Sequence, residues 1–216
     1  MQNIKLIIFD LDGTLIDAYA AICSSFNYLM RKLGLRPKSP RLIRSLVGWG
    51  DENLIRPYVA KVDLKRSLRL YRNHHKLSLL RQSHLYPYAK LLLRQLKAQG
   101  YKLAVASNRP SKFSVILLKH LGIINLFDYV LCADKLKHGK PHPEILNKII
   151  KRFALHKSQV LYVGDMVIDA QAGRRAKVKT IIVTSGSSSL SRIKREHPFK
   201  IISRIKQLVG VLGDRE

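Results

Sequence analysis

A chain of 216 residues holds one well-formed core plus a smaller inserted unit, and is too short for two large independent domains. No stretch approaches the roughly 20 continuous apolar residues that span a bilayer. Asp10 and Asp12 interrupt the first apolar run before it can act as a signal core, and Cys23 and Cys132 lack metal-ligand spacing, so a cytoplasmic protein with reduced packing cysteines and no membrane association is expected. Lys and Arg number 40 against 14 Asp and Glu, a formal net charge of +26 spread along the chain without a basic tail. That field favours anionic partners, either phosphorylated metabolites or nucleic acid held without specificity.

Residues 5–9 form a short apolar run that reads as a buried parallel strand and ends at Asp10. From 17 to 83 the pattern is helical, with no convincing strand. Ile22, Phe26, Leu29, Met30 and Leu33 recur at helical spacing before Gly34, and Ser39-Pro40 and Asp51 look like helix starts. Residues 64–80 then carry apolar positions at Leu64, Leu68, Tyr71 and Leu79. Helices are expected at 88–99, closed by Gly100, and at 111–121, closed by Gly122, on either side of a strand at 102–106. A strand at 129–132, a helix at 143–153, a strand at 160–163, a helix at 169–177 and a strand at 180–183 complete the order. Strands alternating with helices predict an α/β fold, a Rossmann-like doubly wound parallel sheet. Residues 1–16 and 84–216 would form this core, and 17–83 an inserted α-helical cap.

Four carboxylates fall in two short motifs where predicted strands end, which is where open α/β sheets form ligand sites. The first is Phe9-Asp10-Leu11-Asp12-Gly13-Thr14-Leu15, and the second Val163-Gly164-Asp165-Met166-Val167-Ile168-Asp169. The first group closely resembles the phosphatase signature of the haloacid dehalogenase-like (HAD) superfamily. Ser107-Asn108, Lys140 within Gly139-Lys140-Pro141-His142-Pro143, and Gly164-Asp165 with Asp169 supply the superfamily's other parts in order. Leu85-Tyr86-Pro87 and Val47-Gly48-Trp49-Gly50 make the chain look most like the helical-cap subgroup, which includes phosphoglycolate phosphatases.

The resemblance implies a Mg²⁺-dependent phosphatase. Asp10, the Asp12 backbone carbonyl and Asp165 would hold the cation, which prefers oxygen ligands, and Asp169 would join the metal set by orienting it. Asp10 would attack phosphorus to form an aspartyl-phosphate, Asp12 would serve as acid and base, and Lys140 would offset charge. Ser107, Asn108 and backbone amides near Leu11 would bind phosphoryl oxygens. Gly13 would give a sharp turn beside the phosphate, with Thr14 next to it. Gly48 and Trp49 would contact substrate from the cap, Arg109 and Arg56 are further basic candidates, and His142 reads as structural. A closing cap favours a small phosphorylated metabolite, with 2-phosphoglycolate leading. A phosphosugar mutase, a pyrophosphatase, or a polyanion binder acting on polynucleotide phosphate ends are the alternatives. The protein is expected to be a monomer or homodimer. Met166 and Lys177 depart from the superfamily's usual small polar residue and Ala-Gly.

Overall fold

In the computed structural model, which describes residues 3–59 and 63–213, the first apolar run becomes strand β1 (Leu6–Phe9). Its side chains alternate as strand geometry requires. Leu6 and Ile8 enter one apolar cluster, and Ile7 and Phe9 enter the other. Next come β2 (Ile16–Asp17), α1 (Tyr19–Lys32), α2 (Pro40–Leu46), α3 (Asp51–Ile55), α4 (Leu64–Gln82) and β3 (His84–Leu85). The α/β alternation resumes with α5 (Ala89–Ala98), β4 (Lys102–Ser107), α6 (Ser111–His120), β5 (Tyr129–Cys132), α7 (Glu144–Arg152) and β6 (Val160–Gly164). It closes with α8 (Val167–Ala176), β7 (Lys179–Val183), α9 (Leu190–Lys194), β8 (Lys200–Ile202) and α10 (Leu208–Leu212).

Six strands form one parallel sheet in the order β5-β4-β1-β6-β7-β8, so β1 is central and the chain winds outward on both sides of it. Helix α7 buries Ile145, Leu146, Ile149 and Ile150 against the face that carries Leu6 and Ile8. Each such side chain contributes roughly 1.5–3 kcal/mol by leaving water. The opposite face packs continuously with α1 and α4 through Ile22, Phe26 and Leu29 on one helix and Leu68, Tyr71 and Leu79 on the other. The starts of the inserted helices follow their capping residues. Ser39 accepts a hydrogen bond from the Leu42 amide with Pro40 at the first helical position, and Asp63 accepts from the Lys65 amide.

Two strand features were absent from the sequence reading. A short antiparallel ribbon joins the two ends of the insertion, with Ile16 opposite Leu85 and Asp17 opposite His84. Two residues per strand are too few to show any period, which is why the interval read as purely helical. The sheet also has a sixth strand, β8, a three-residue edge strand that begins with exposed Lys200 and buries only Ile202 fully. No helix among the described residues is long and apolar enough to cross a membrane.

Candidate active site

Strands β1 and β6 are neighbours with Phe9 opposite Val163, so Asp10 and Asp165 leave the same carboxyl edge of the sheet almost side by side. The Asp10 amide continues the ladder by donating to the Val163 carbonyl at 2.9 Å. The loop before α7 brings in Lys140. Its Nζ lies 2.8 Å from Asp10 Oδ1, 2.8 Å from Asp169 Oδ1 and 3.1 Å from the Tyr162 hydroxyl, with the side chain almost fully enclosed. Both Asp169 oxygens are engaged. Oδ1 also accepts from the Tyr162 hydroxyl at 2.5 Å, and Oδ2 accepts from the Asp165 and Met166 amides. Asp169, predicted as part of the metal set, uses both oxygens to orient Lys140 and the Asp165 loop. Here the Met166 backbone supplies the hydrogen bond that its side chain lacks.

Burial dominates the electrostatics. It pushes Asp10 up to about 7, with Lys140 pulling the other way and the Asp169 charge adding to the rise. Asp165 is raised well above the ordinary carboxylate range, again by burial and then by Asp169 and Asp10. Lys140 is also desolvated, but the Asp10 and Asp169 charges outweigh this and hold it protonated above its usual range. Three buried carboxylates around one cation leave a shortage of positive charge.

The residues fit a hard divalent cation. Ligand oxygens of Asp10, Asp165 and Asp169 lie within 4.8 Å of one another. Asp165 Oδ1 accepts from Thr14 Oγ1 at 2.9 Å, whereas Oδ2 is buried without a hydrogen-bond partner among the described residues. A buried carboxylate oxygen with no partner is costly unless a cation completes it. Glycines make room for it, since a Cβ at Gly13 would lie 2.1 Å from that oxygen and one at Gly186 2.0 Å. Gly13 also has φ +84°, which L side chains rarely adopt. Gly13 and Thr14, predicted to face substrate, thus face Asp165.

A cavity of about 60 Å³ lies between the strand ends and the insertion, lined in part by Asp10, Asp12, Ser107, Asn108, Gly48 and Lys140. Backbone N–H groups of Leu11 and Asp12 have no acceptor among the described residues, and Ser107 Oγ accepts from the Arg109 amide while its own hydrogen remains available. The Asn108 side chain is instead a clamp. Its Nδ2 donates to the Gly48 and Lys140 carbonyls, and its Oδ1 accepts from the Lys140 amide, leaving it no capacity for a phosphoryl oxygen. Gly48 has φ +109° and presses on Met166, where a Cβ would sit 2.5 Å from Sδ. Trp49 does not enter the cavity; it is 43% exposed.

Sequence reasoning passed over two participants, Tyr162 and His75, and named a third, Arg109, only as a further basic candidate. Tyr162 was counted only as a strand residue, although every second position of a strand bordering a site can point into it. Arg109, ranked low among 40 basic residues, donates from Nε and Nη2 to Asp12 at 3.0 and 2.5 Å, and its Nη1 meets His75 of α4 at 3.0 Å. The signal for it was its place directly after Ser107-Asn108. Nothing in the helical pattern of α4 marked His75, which burial and then Arg109 hold well below the usual histidine range.

Residues 7–183 match the haloacid dehalogenase-like hydrolase family. Among curated relatives, a phosphoglycolate phosphatase of Nitrosococcus oceani is 30% identical over 99% of this chain and 98% of its own. One from Aliivibrio fischeri is 32% identical over 98% of each. A crystal structure of a predicted phosphoglycolate phosphatase from Haemophilus somnus superimposes with a TM-score of 0.93 at 30% identity, covering 99% of this chain and 100% of that one.

Proposed function

The chain belongs to the haloacid dehalogenase-like hydrolase family, and on that premise we propose that it is a Mg²⁺-dependent phosphatase acting on a small phosphomonoester, with 2-phosphoglycolate as the best-matched substrate. The observation that carries this reading is the buried acidic set of Asp10, Asp165 and Asp169 around Lys140, with one Asp165 oxygen lacking any partner. The names of the full-length relatives support the substrate, and so does the small cavity. Residues 17–83 act in this reading as a cap that encloses the ligand, with the β2–β3 ribbon as its base.

Asp10, Asp165 and the Asp12 carbonyl would hold the cation, which would supply positive charge against the phosphoryl oxygens. An Asp10 oxygen attacks phosphorus in line as the ester P–O bond breaks, and Asp12 gives its proton to the departing oxygen. A water then attacks the aspartyl-phosphate while Asp12 takes up a proton from it, so both residues return to their starting state and one alcohol and one phosphate leave. Lys140 fixes the Asp10 carboxylate and balances its charge, and the Leu11 and Asp12 amides with Ser107 receive the phosphoryl oxygens. With both oxygens bound to Arg109, Asp12 must free one of them to act.

The test is phosphate release from a panel of small phosphomonoesters, nucleotides, pyrophosphate and 5′-phosphorylated oligonucleotides, with and without Mg²⁺, using Asp10→Asn as control. Metal-dependent release that vanishes in the variant is expected. Residual turnover within tenfold of wild type would remove Asp10 as nucleophile.

A further inference from the structure

Arg109 takes no part in these steps, yet it is only 7% exposed and lines the cavity. A buried guanidinium needs acceptors for its N–H groups, of which it has five. Two go to Asp12 and one meets His75, so two have no acceptor among the described residues. Apolar side chains of Ile22, Leu54 and Phe113 and the ring of Tyr71 line part of the same cavity. The carboxylate of Asp51, also on the wall, is already held by Arg72 at 2.7 and 3.0 Å. Lys140 is committed to Asp10 and Asp169.

A buried, fork-shaped cation with N–H groups lacking acceptors among the described residues matches a planar anion, and a carboxylate pairs with such a fork through two parallel bonds. We propose that Arg109 forms a carboxylate subsite, so that the preferred substrates are phosphomonoesters whose leaving group bears a carboxylate close to the ester oxygen. This inference rests on the phosphatase reading given above. The closeness follows from connectivity: Arg109 grips Asp12, the residue that serves the ester oxygen, so a group bound to the same guanidinium lies beside that oxygen. His75 holds Nη1 from the cap side and so ties the subsite to the insertion. An uncharged leaving group of the same length leaves the buried N–H groups unsatisfied, and a site built around polar groups rejects such analogues more strongly than an apolar pocket rejects a misfit.

The experiment compares kcat/KM for 2-phosphoglycolate and for 2-hydroxyethyl phosphate, equal in length but lacking the carboxylate, in wild type, Arg109→Gln and Arg109→Lys. Wild type should favour the carboxylate ester by about tenfold to a hundredfold, the range for hydrogen bonds to a charged group. Arg109→Gln should bring the ratio near one, and Arg109→Lys, which keeps the charge without the fork, should fall between. Misplacement of Asp12 slows both esters alike, so only the ratio reports the subsite. A wild-type ratio near one, or a ratio that survives Arg109→Gln, overturns the proposal. Calorimetric binding of the two esters to Asp10→Asn protein with Mg²⁺ reads the same preference without turnover. A chain that hydrolyses neither ester would therefore defeat the phosphatase reading while the binding ratio still decides the subsite.

Discussion

Adding Mg²⁺ to metal-free protein at pH 7 should release protons, because the structure stores them on the carboxylates the cation needs. Burial raises Asp10 from 3.8 to about 7, so roughly half a proton sits there at pH 7. Asp165 is shifted in the same direction, well above the carboxylate range, by its own burial. Cation binding requires both to ionise, so protons leave as the metal enters, with Asp10 alone accounting for about half a proton at pH 7. Apparent affinity should accordingly climb with pH. The sign for the metal-free fold is the opposite: the folded chain keeps a proton that the unfolded chain loses from 3.8 upward, so this part of stability is complete below 3.8 and lost as pH rises through about 7. Calorimetry in buffers of different ionisation enthalpy counts the protons, and thermal melts supply a second reading. At a hundredfold excess over Kd the cation should add about 2.7 kcal/mol, which for a protein of this size raises Tm by roughly 5–10 °C. Zero proton release, or an unchanged release and melting shift in Asp165→Asn, would refute the assignment of the site.

Lys140→Met leaves two buried carboxylates without their cation and should lower stability by about 3–5 kcal/mol at pH 7 in urea unfolding; the deficit should shrink below pH 7 as Asp10, raised by burial, takes up a proton. Lys177 ends α8 at φ +59°, in the left-handed region that penalises any side chain. Lys177→Gly should therefore stabilise by about 1 kcal/mol, seen as a Tm rise of roughly 2–4 °C. Trp49→Ala should keep kcat/KM within about twofold, since the indole stands outside the cavity; a loss above about tenfold would put it in the substrate's path.

The parallel core was legible because each of its strands is an apolar run ending in a turn, and because helices α5 and α6 close on glycines that adopt positive φ, Gly100 at +80° and Gly122 at +64°. Asp10, Asp12, Asp165, Asp169 and Lys140 were legible because their spacing is local and each stands just past a strand or in a rigid proline-flanked segment. What escaped depended on contacts distant in sequence. The Arg109–His75 pairing spans 34 positions and joins an ordinary arginine to an ordinary histidine, neither with a local pattern. The partners of the Asn108 side chain were not legible, because sequence shows a polar side chain at the strand end but not the three backbone groups that saturate it. For Gly13 and Thr14 the sequence suggests a turn beside a phosphate, whereas only the β1–β6 register reveals that they lean on Asp165.

That register ties the fold to its chemistry. Side chains alternate along a strand, so a slip of one residue between β1 and β6 would exchange Ile7 and Phe9 for Leu6 and Ile8 across the sheet faces. The apolar clusters forbid this, and in doing so they hold Asp10 and Asp165 side by side against their mutual repulsion. The same enclosure that desolvates them makes the site demand positive charge, which Lys140 meets only in part. The remaining chain, at a net +26, draws anions toward the surface over long range, but a phosphate dianion entering three buried carboxylates would still meet local repulsion. A bound cation would resolve the conflict where, among the described residues, the packing leaves Asp165 Oδ2 without a hydrogen-bond partner, between Gly13 and Gly186. Hydrophobic register, glycine placement and metal demand are thus consequences of a single arrangement of strand ends.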